Sequence, residues 1–260
     1  MGMAAGALAV VAVADVAASP AARVLVNGGA MMDGNAFKAA TIPAMRAFYG
    51  ECRRVALVLH ASHPPDRDRM ERRLQAAFAA IDPAIHAESL HRHDAAGALE
   101  LLRAADGIFI GGGDTFVLLK TLQETGQLGV IRERVLAGVP TGGSSAGANV
   151  MGPVIGTTND FPVADVATRE ALAVFPALIN PHHPKADAGQ DFASREWKLR
   201  NYLRWNPDER VLALGDAATA VLKDGEVTLM LGPAWLYRSA SESRVLVEGE
   251  VVPELATGAR

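Results

Sequence analysis

The sequence holds 260 residues, 50% of them hydrophobic and 21% charged, with 25 Lys and Arg set against 29 Asp and Glu and a formal net charge of −4. A chain of this length can bury a full core alone, and its mildly acidic balance offers no basic footprint for a phosphate backbone, so nucleic acid is excluded as the expected partner. The single cysteine, Cys52, permits neither an internal disulfide nor a zinc-binding cluster and fits a reduced, cytoplasmic setting.

Residues 1–22, MGMAAGALAVVAVADVAASPAA, are Ala/Val-rich like the apolar part of a signal peptide, yet no positive charge precedes them and Asp15 interrupts them. The run falls short of the roughly 18 uninterrupted apolar residues of a membrane span. It reads as an extension or a mis-assigned start, ahead of a single domain over 23–260. The β-branched runs RVLVN (23–27), RVALVLHA (54–61), GIFIGG (107–112) and VLALG (211–215) predict strands. Between them, RDRMERRLQAAFAAI sets Met70, Leu74, Phe78 and Ile81 on one helical stripe, and TFVLLKTLQETG ends at Gly126, where a helix would stop. Strands alternating with helices imply a mostly parallel sheet covered on both faces. TAVLKDGEVTLMLG reads as a hairpin turning at Asp224-Gly225, so residues from about 218 onward are expected to be antiparallel strands extending that sheet.

In such sheets ligands gather where strands run into helices. The loop IFIGGGDTF lacks the Lys and Ser/Thr of a phosphate-binding loop and the spacing of a dinucleotide fingerprint. Gly111, Gly112 and Gly113 either make a tight turn capped by Asp114 or Thr115, or bring backbone amides close to a substrate. The second loop, VPTGGSSAGANVMG, fits Gly-x-Ser-x-Gly at Gly143, Ser145 and Gly147. A nucleophile on a sharp strand-to-helix turn needs small residues two places away on either side. Centring the pattern on Ser144 puts Gly142 and Ala146 there, a poorer fit, and the bland alternative is close packing of helix on sheet. A helix starting at Ser145 would also aim its first amides at a developing oxyanion.

A serine nucleophile needs a base, and the base an orienting acid. Among the seven histidines, His60, His63, His86, His91 and His93 fit surface or loop positions. The pair His182-His183 follows an apolar run between prolines in FPALINPHHPKAD, which suits a base held at a strand end. In DFASREWKLRNYL, taken as a helix, Phe192, Leu199, Tyr202 and Leu203 share a face, and Arg195 falls within it while Lys198, Arg200 and Arg204 point elsewhere. An inward arginine needs an anion, such as Glu196 or another internal acid, unless its side chain snorkels so that the head reaches water.

Together GIFIGGGDTFVLLKTL, GGSSAGANVMGP, GTTNDFPV, VFPALINPHH and SREWKLRNYL resemble the serine peptidase family of dipeptidase E, the α-aspartyl dipeptidases, which also holds cyanophycinase; the likeness runs over about residues 105–216. The resemblance implies a flavodoxin-like three-layer α/β sandwich related to class I glutamine amidotransferases, with serine in place of their cysteine on a nucleophile elbow. It implies Ser145 as nucleophile, His182 as general base, and Gly113 and Ala146 as donors of the oxyanion-hole amides. His183 stands where the family has an aromatic residue. Two carboxylates match family positions for the acid, Asp160 in TTND and Asp216 in ALGDAA, the latter where a glutamate is found. If Asp216 orients His182, Asp160 and Asn159 are left to bind the substrate ammonium. Arg195 matches an arginine implicated in holding the substrate carboxylate, and Asp114 replaces an asparagine, which bears on substrate preference. The implied activity is hydrolysis of dipeptides with N-terminal aspartate through an acyl-enzyme, with no metal or other cofactor, a small peptide as the only partner and no membrane. The other readings are a cyanophycinase-like hydrolase of β-aspartyl-arginine and a catalytically idle amidotransferase-like binding protein. Monomer and homodimer stay equally open.

Overall fold

A computed structural model describes residues 19–256, so the expectation of an N-terminal extension falls mostly on residues 1–18, outside the described residues. Strand β1 (Val24–Asn27) leads through a small hairpin, β2 (Met32–Asp33) and β3 (Ala36–Phe37), into helix α1 (Ile42–Tyr49). Strand β4 (Arg54–Val58), helix α2 (Arg67–Ile81), strand β5 (His86–Ser89), helix α3 (Ala95–Ala104) and strand β6 (Gly107–Ile110) then alternate. Helices α4 (Thr115–Glu124) and α5 (Gln127–Leu136) precede strand β7 (Thr141–Ser144) and the single turn α6 (Ala146–Asn149). Strand β8 (Leu178–Asn180), helix α7 (Gln190–Trp205) and strands β9 (Val211–Leu214), β10 (Thr219–Lys223), β11 (Glu226–Leu231), β12 (Ala234–Tyr237) and β13 (Ser243–Leu246) follow. Among the described residues no helix is long and apolar enough to cross a membrane.

The main sheet has the order β11-β10-β1-β7-β6-β4-β5. Its five strands from β1 to β5 are parallel, and β10 and β11 are added antiparallel at the β1 side. Strands β1, β6 and β7 are buried throughout, as a parallel sheet covered on both faces requires. Their residues alternate between two cores: Val24 and Val26 pack with residues of α3, α4 and α5, whereas Leu25 packs with residues of α1 and α2. On α2 the expected stripe is present, with Leu74, Phe78 and Ile81 buried and Met70 half-buried. Gly126 (φ 71) takes the left-handed conformation between α4 and α5. The hairpin between β10 and β11 turns at Asp224 (φ 53) and Gly225 (φ 82), the positive dihedrals that a tight two-residue turn demands.

Two expectations need correction. The strand at 211–215 does not join the main sheet, and only β10 and β11 among the later strands extend it. Strands β13, β12, β9 and β8 form a second sheet in that order, with β8 and β9 parallel and the rest antiparallel. The physical reason is a core of its own. Leu178, Leu199, Leu203, Val211, Ala213, Trp235 and Tyr237 form an apolar cluster between this sheet and α7, and β9 and β12 are buried at every position. The α7 face carries Leu199 and Leu203 buried, with Phe192 and Tyr202 packed against the cluster. Arg200 departs from its expected outward course: its guanidinium donates to Ala240 O (3.1 Å), Ser243 Oγ (2.8 Å) and Glu196 Oε1 (2.9 Å).

His183 is part of this second core. It is 3% exposed, its ring lies 4.4 Å from the ring of Trp235, and Phe192 meets it edge-on. Nδ1 lies 3.0 Å from Pro184 O, an acceptor only, so Nδ1 carries the proton and Nε2 accepts from the Tyr237 hydroxyl at 3.1 Å. Burial pushes its pKa down from the ordinary 6.5 to about 4. The folded state thus binds this proton less readily than the unfolded chain, so the stability tied to neutral His183 is complete above 6.5 and is lost as pH falls toward about 4. The loss is on the order of 3 kcal/mol. Thermal unfolding followed from neutral to acid pH should therefore show a falling Tm, with a shallower acid-side slope in His183→Phe; parallel slopes in the two proteins would refute this account.

Candidate active site

Ser145 stands between the end of β7 and the start of α6 with φ 55 and ψ −116, a conformation that L-residues other than a few turn formers seldom take. Its neighbours two places away must lack side chains. A Cβ on Gly143 would sit 2.2 Å from Gly147 O, and one on Gly147 would sit 2.1 Å from Ile110 O. The two serines differ sharply. Ser144 is buried, its hydroxyl 3.2 Å from both Asn27 Oδ1 and Gly29 O, whereas Ser145 is half-buried with Oγ 2.8 Å from His182 Nε2.

His182 follows β8 and Asp216 follows β9, so the two parallel neighbours of the second sheet bring them to one edge. Asp216 Oδ1 lies 2.6 Å from His182 Nδ1. The side chains remain 47% and 65% exposed, which leaves the pair open to a ligand. The segment after β1 ties all three residues together. Asn27 O accepts from Ser145 N–H (3.0 Å), Gly28 O accepts from His182 N–H (3.0 Å), and Ala30 N–H donates to Asp216 O (2.8 Å). Gly29 lies under the imidazole, where a Cβ would come within 2.1 Å of His182 Cε1. Sequence reasoning passed over this Asn-Gly-Gly; its signal was a third glycine-bearing loop at a predicted strand end.

The β6 loop runs beside Ser145. A Cβ on Gly112 would lie 3.0 Å from Ser145 Cβ, and Gly113 (φ 138) approaches Ala61 O so closely that a Cβ would be 2.1 Å away. Asp114 caps α4 through Val117 N–H (2.8 Å), and Ala146 opens α6 directly after Ser145.

Asp160 does not meet the imidazole. Its Oδ2 accepts from Thr115 N–H (2.8 Å), Thr115 Oγ1 (2.5 Å) and Thr158 Oγ1 (3.3 Å) at the start of α4. Asn159 Nδ2 donates to Pro181 O (2.8 Å), and its Oδ1 accepts from Asn180 Nδ2 (3.0 Å). Arg195 Nη1 reaches Asn180 Oδ1 (3.0 Å), Pro181 O (3.2 Å) and His182 O (3.3 Å). Burial pulls the Arg195 guanidinium below its ordinary pKa, and among the described residues no carboxylate lies within ion-pair distance of it. Glu196, its simplest expected partner, pairs with Arg200 instead.

Of the other histidines, His60 lies in the loop after β4, as one of the two expectations has it, but is buried there: it is 7% exposed, with Nε2 2.7 Å from Gln127 Oε1, and burial lowers its pKa. His91, Asp68 and Glu71 bring possible metal-ligating atoms within 4.8 Å of one another. Arg92 already occupies both carboxylates, with Nε 2.6 Å from Glu71 Oε2 and Nη2 3.1 Å from Asp68 Oδ1, so a cation there would have to displace a guanidinium.

A hydroxyl, an imidazole and a carboxylate in line, beside a glycine loop and a helix start, can perform acyl transfer. Comparison with known proteins agrees with that chemistry. The sequence matches Peptidase family S51 over residues 24–230. It is 37% identical to Peptidase E of Pasteurella multocida (strain Pm70) over 211 residues, which is 80% of this chain and 88% of that protein. It is also 37% identical to Peptidase E of Haemophilus influenzae (strain ATCC 51907 / DSM 11121 / KW20 / Rd) over 191 residues, 71% of this chain and 84% of that one. The crystal structure of a peptidase from an acI-B1 Actinobacterium shares the fold, with a TM-score of 0.65 at 17% identity over 89% of this chain and 96% of that one. By its family match and by relatives of this identity and coverage, the chain belongs to Peptidase family S51 and is a serine-type peptidase.

Proposed function

We propose that this peptidase hydrolyses dipeptides with an N-terminal aspartate through an acyl-enzyme on Ser145. The observation that supports the reading best is the continuous chain from Ser145 Oγ through His182 to Asp216, with links of 2.8 and 2.6 Å. In this reading residues 23–260 form one cytoplasmic peptidase domain. Its architecture is flavodoxin-like and related to class I amidotransferases, with Ser145 on a nucleophile elbow. The strained serine between β7 and α6 supports that description.

His182 takes the Ser145 proton on Nε2 as Oγ attacks the peptide carbonyl, and Asp216 fixes the tautomer with the proton on Nδ1 and stabilises the imidazolium that forms. The amides of Gly113 and Ala146 hold the oxyanion. The imidazolium then protonates the departing amine, and a water activated by neutral His182 hydrolyses the ester. Asp160 presents Oδ1 to the substrate ammonium, since all three of its donors converge on Oδ2, and Asn159 helps to frame that site. Arg195 spends Nη1 on the 180–182 segment and keeps Nε and Nη2 as a fork for the aspartyl carboxylate.

Ser145→Ala should lower kcat by several orders of magnitude, on the order of 10⁴ to 10⁶, and abolish labelling by a fluorophosphonate. Near-normal turnover, or loss of wild-type activity in EDTA, would sink the mechanism. For the acid, Asp216→Asn is expected to reduce kcat on the order of 10³- to 10⁴-fold and to slow labelling of Ser145. Asp160→Asn should instead raise KM and leave labelling fast. The reverse pattern would exchange the two roles.

Specificity is read by comparing Asp-Leu with Asn-Leu and Ala-Leu, with a β-aspartyl-arginine dipeptide as the competing substrate class. Arg195→Met should erode the preference for Asp-Leu over Asn-Leu by on the order of 2 to 4 kcal/mol in kcat/KM. If the variant keeps the wild-type preference, another residue reads the side chain.

A further inference from the structure

Beside the Ser145–His182 pair lies a cavity of about 280 Å³ that the reading above leaves unused. Its edge toward the pair is made by Gly29 and Gly112, and its wall includes Met31, Met70, Leu74 and Phe109. Those two glycines are the same ones that touch the reacting groups: a Cβ on Gly29 would overlap the His182 ring, and one on Gly112 would press on Ser145 Cβ. Gly29 and Gly112 thus border both the cavity and the Ser145–His182 pair.

The side from which the cavity is reached decides which half of the substrate enters it. The amine leaves toward the group that protonates it, which is His182 Nε2. The cavity meets His182 through Gly29, packed on the imidazole ring. Arg195 and Asn159 bond the backbone of residues 181–182, and in the reading above they and Asp160 take the acyl residue. With the acyl residue so placed, the cavity is left for the leaving residue.

Arg73, on α2, lines the same cavity. It is half-buried, and its Nε donates to Gly34 O (2.8 Å) at the turn of the β2–β3 hairpin, which fixes the guanidinium and leaves both Nη groups unspent. Among the described residues no carboxylate lies within ion-pair distance of it. The nearby acids of α2 are engaged elsewhere, Asp68 with Arg92 and His91, and Glu71 with Arg92. An adaptable apolar wall of methionine, leucine and phenylalanine with a fixed guanidinium is complementary to an apolar side chain next to an anion.

We propose that this cavity receives the second residue of the dipeptide, with its apolar side chain on Met31, Met70, Leu74 and Phe109 and its free α-carboxylate on Arg73. The proposal rests on the acyl-enzyme reading of Ser145 and His182. It gives a physical reason for restriction to dipeptides. A third residue would turn the carboxylate into an amide and leave the guanidinium without its anion.

The test is steady-state kinetics with Asp-Leu, Asp-Leu-amide and Asp-Gly on the full chain. Wild type should favour Asp-Leu over its amide by about tenfold or more in kcat/KM. Arg73→Met should collapse that ratio through a raised KM for Asp-Leu, and Arg73→Lys should restore part of it. Met70→Trp, which fills the cavity from a half-buried wall position, should lower Asp-Leu relative to Asp-Gly. Equal use of acid and amide by wild type overturns the proposal, as does an unchanged ratio in a folded Arg73→Met. Should Arg73→Met fail to fold, the wild-type ratio and the Met70→Trp shift decide. If no substrate is cleaved and Ser145 resists fluorophosphonate, the acyl-enzyme reading fails and takes the subsite with it; cleavage without preference removes the subsite alone.

Discussion

Residues 27–30, where β1 ends, hold the candidate site together through their backbone. Consecutive carbonyls of Asn27 and Gly28 accept the amides of Ser145 and His182, and the amide of Ala30 donates to the carbonyl of Asp216. Three groups from three distant stretches of chain are thus referenced to one short segment. The arrangement tolerates no side chain in its middle. A Cβ on Gly28 would lie 1.9 Å from Gly215 O, and one on Gly29 would enter the His182 ring. Asn27 stiffens the segment further: Nδ2 donates to Ala218 O (3.1 Å) and Thr219 Oγ1 (2.9 Å), while Oδ1 accepts from Gly29 N–H (2.9 Å). The antiparallel addition of β10 beside β1 brings Ala218 and Thr219 within reach, so the sheet edge and the site share one set of hydrogen bonds.

Such anchoring has work to do, because both Ser145 and His182 sit in sparsely populated backbone conformations. Ser145 has φ 55 and His182 has φ 53, and residues so held cost on the order of 1 to 3 kcal/mol each. The hydrogen bonds to Asn27 O and Gly28 O oppose that strain where it arises. What the strain achieves is direction. A serine in an ordinary strand conformation would project into one of the two packed cores, whereas the turn lifts Oγ out to meet the imidazole.

The histidine pair shows how environment divides one residue type into two. His182 and His183 are adjacent in sequence, yet one lies against a carboxylate and a hydroxyl at an open edge, and the other is sealed among Trp235, Phe192 and Tyr237. The buried ring holds the loop in place because its two nitrogens are committed to Pro184 O and the Tyr237 hydroxyl. The second sheet thereby serves as a platform: its parallel pair β8 and β9 delivers the imidazole and the carboxylate, and its apolar core keeps their loops fixed.

By itself the sequence determined the alternation of strands and helices, the turn at Asp224-Gly225, the α2 stripe and the small-residue pattern around Ser145, because each depends on neighbours within a few positions. Gly143 and Gly147 were legible for the same reason, since their steric requirement is local. Only the tertiary structure decided that the strand 211–214 belongs to a second sheet, for its buried residues would suit either sheet and its partner β12 lies beyond a hairpin. Which carboxylate meets His182 was likewise beyond the local pattern. Asp160 and Asp216 both follow plausible loops, and the difference lies in strand adjacency: β9 runs beside β8, while Asp160 is drawn to the start of α4 by Thr115. The tie through Asn27, Gly28 and Ala30 was out of reach too, since a backbone carbonyl chooses its partner by position in space and leaves no mark on residue identity except the glycines that permit the approach.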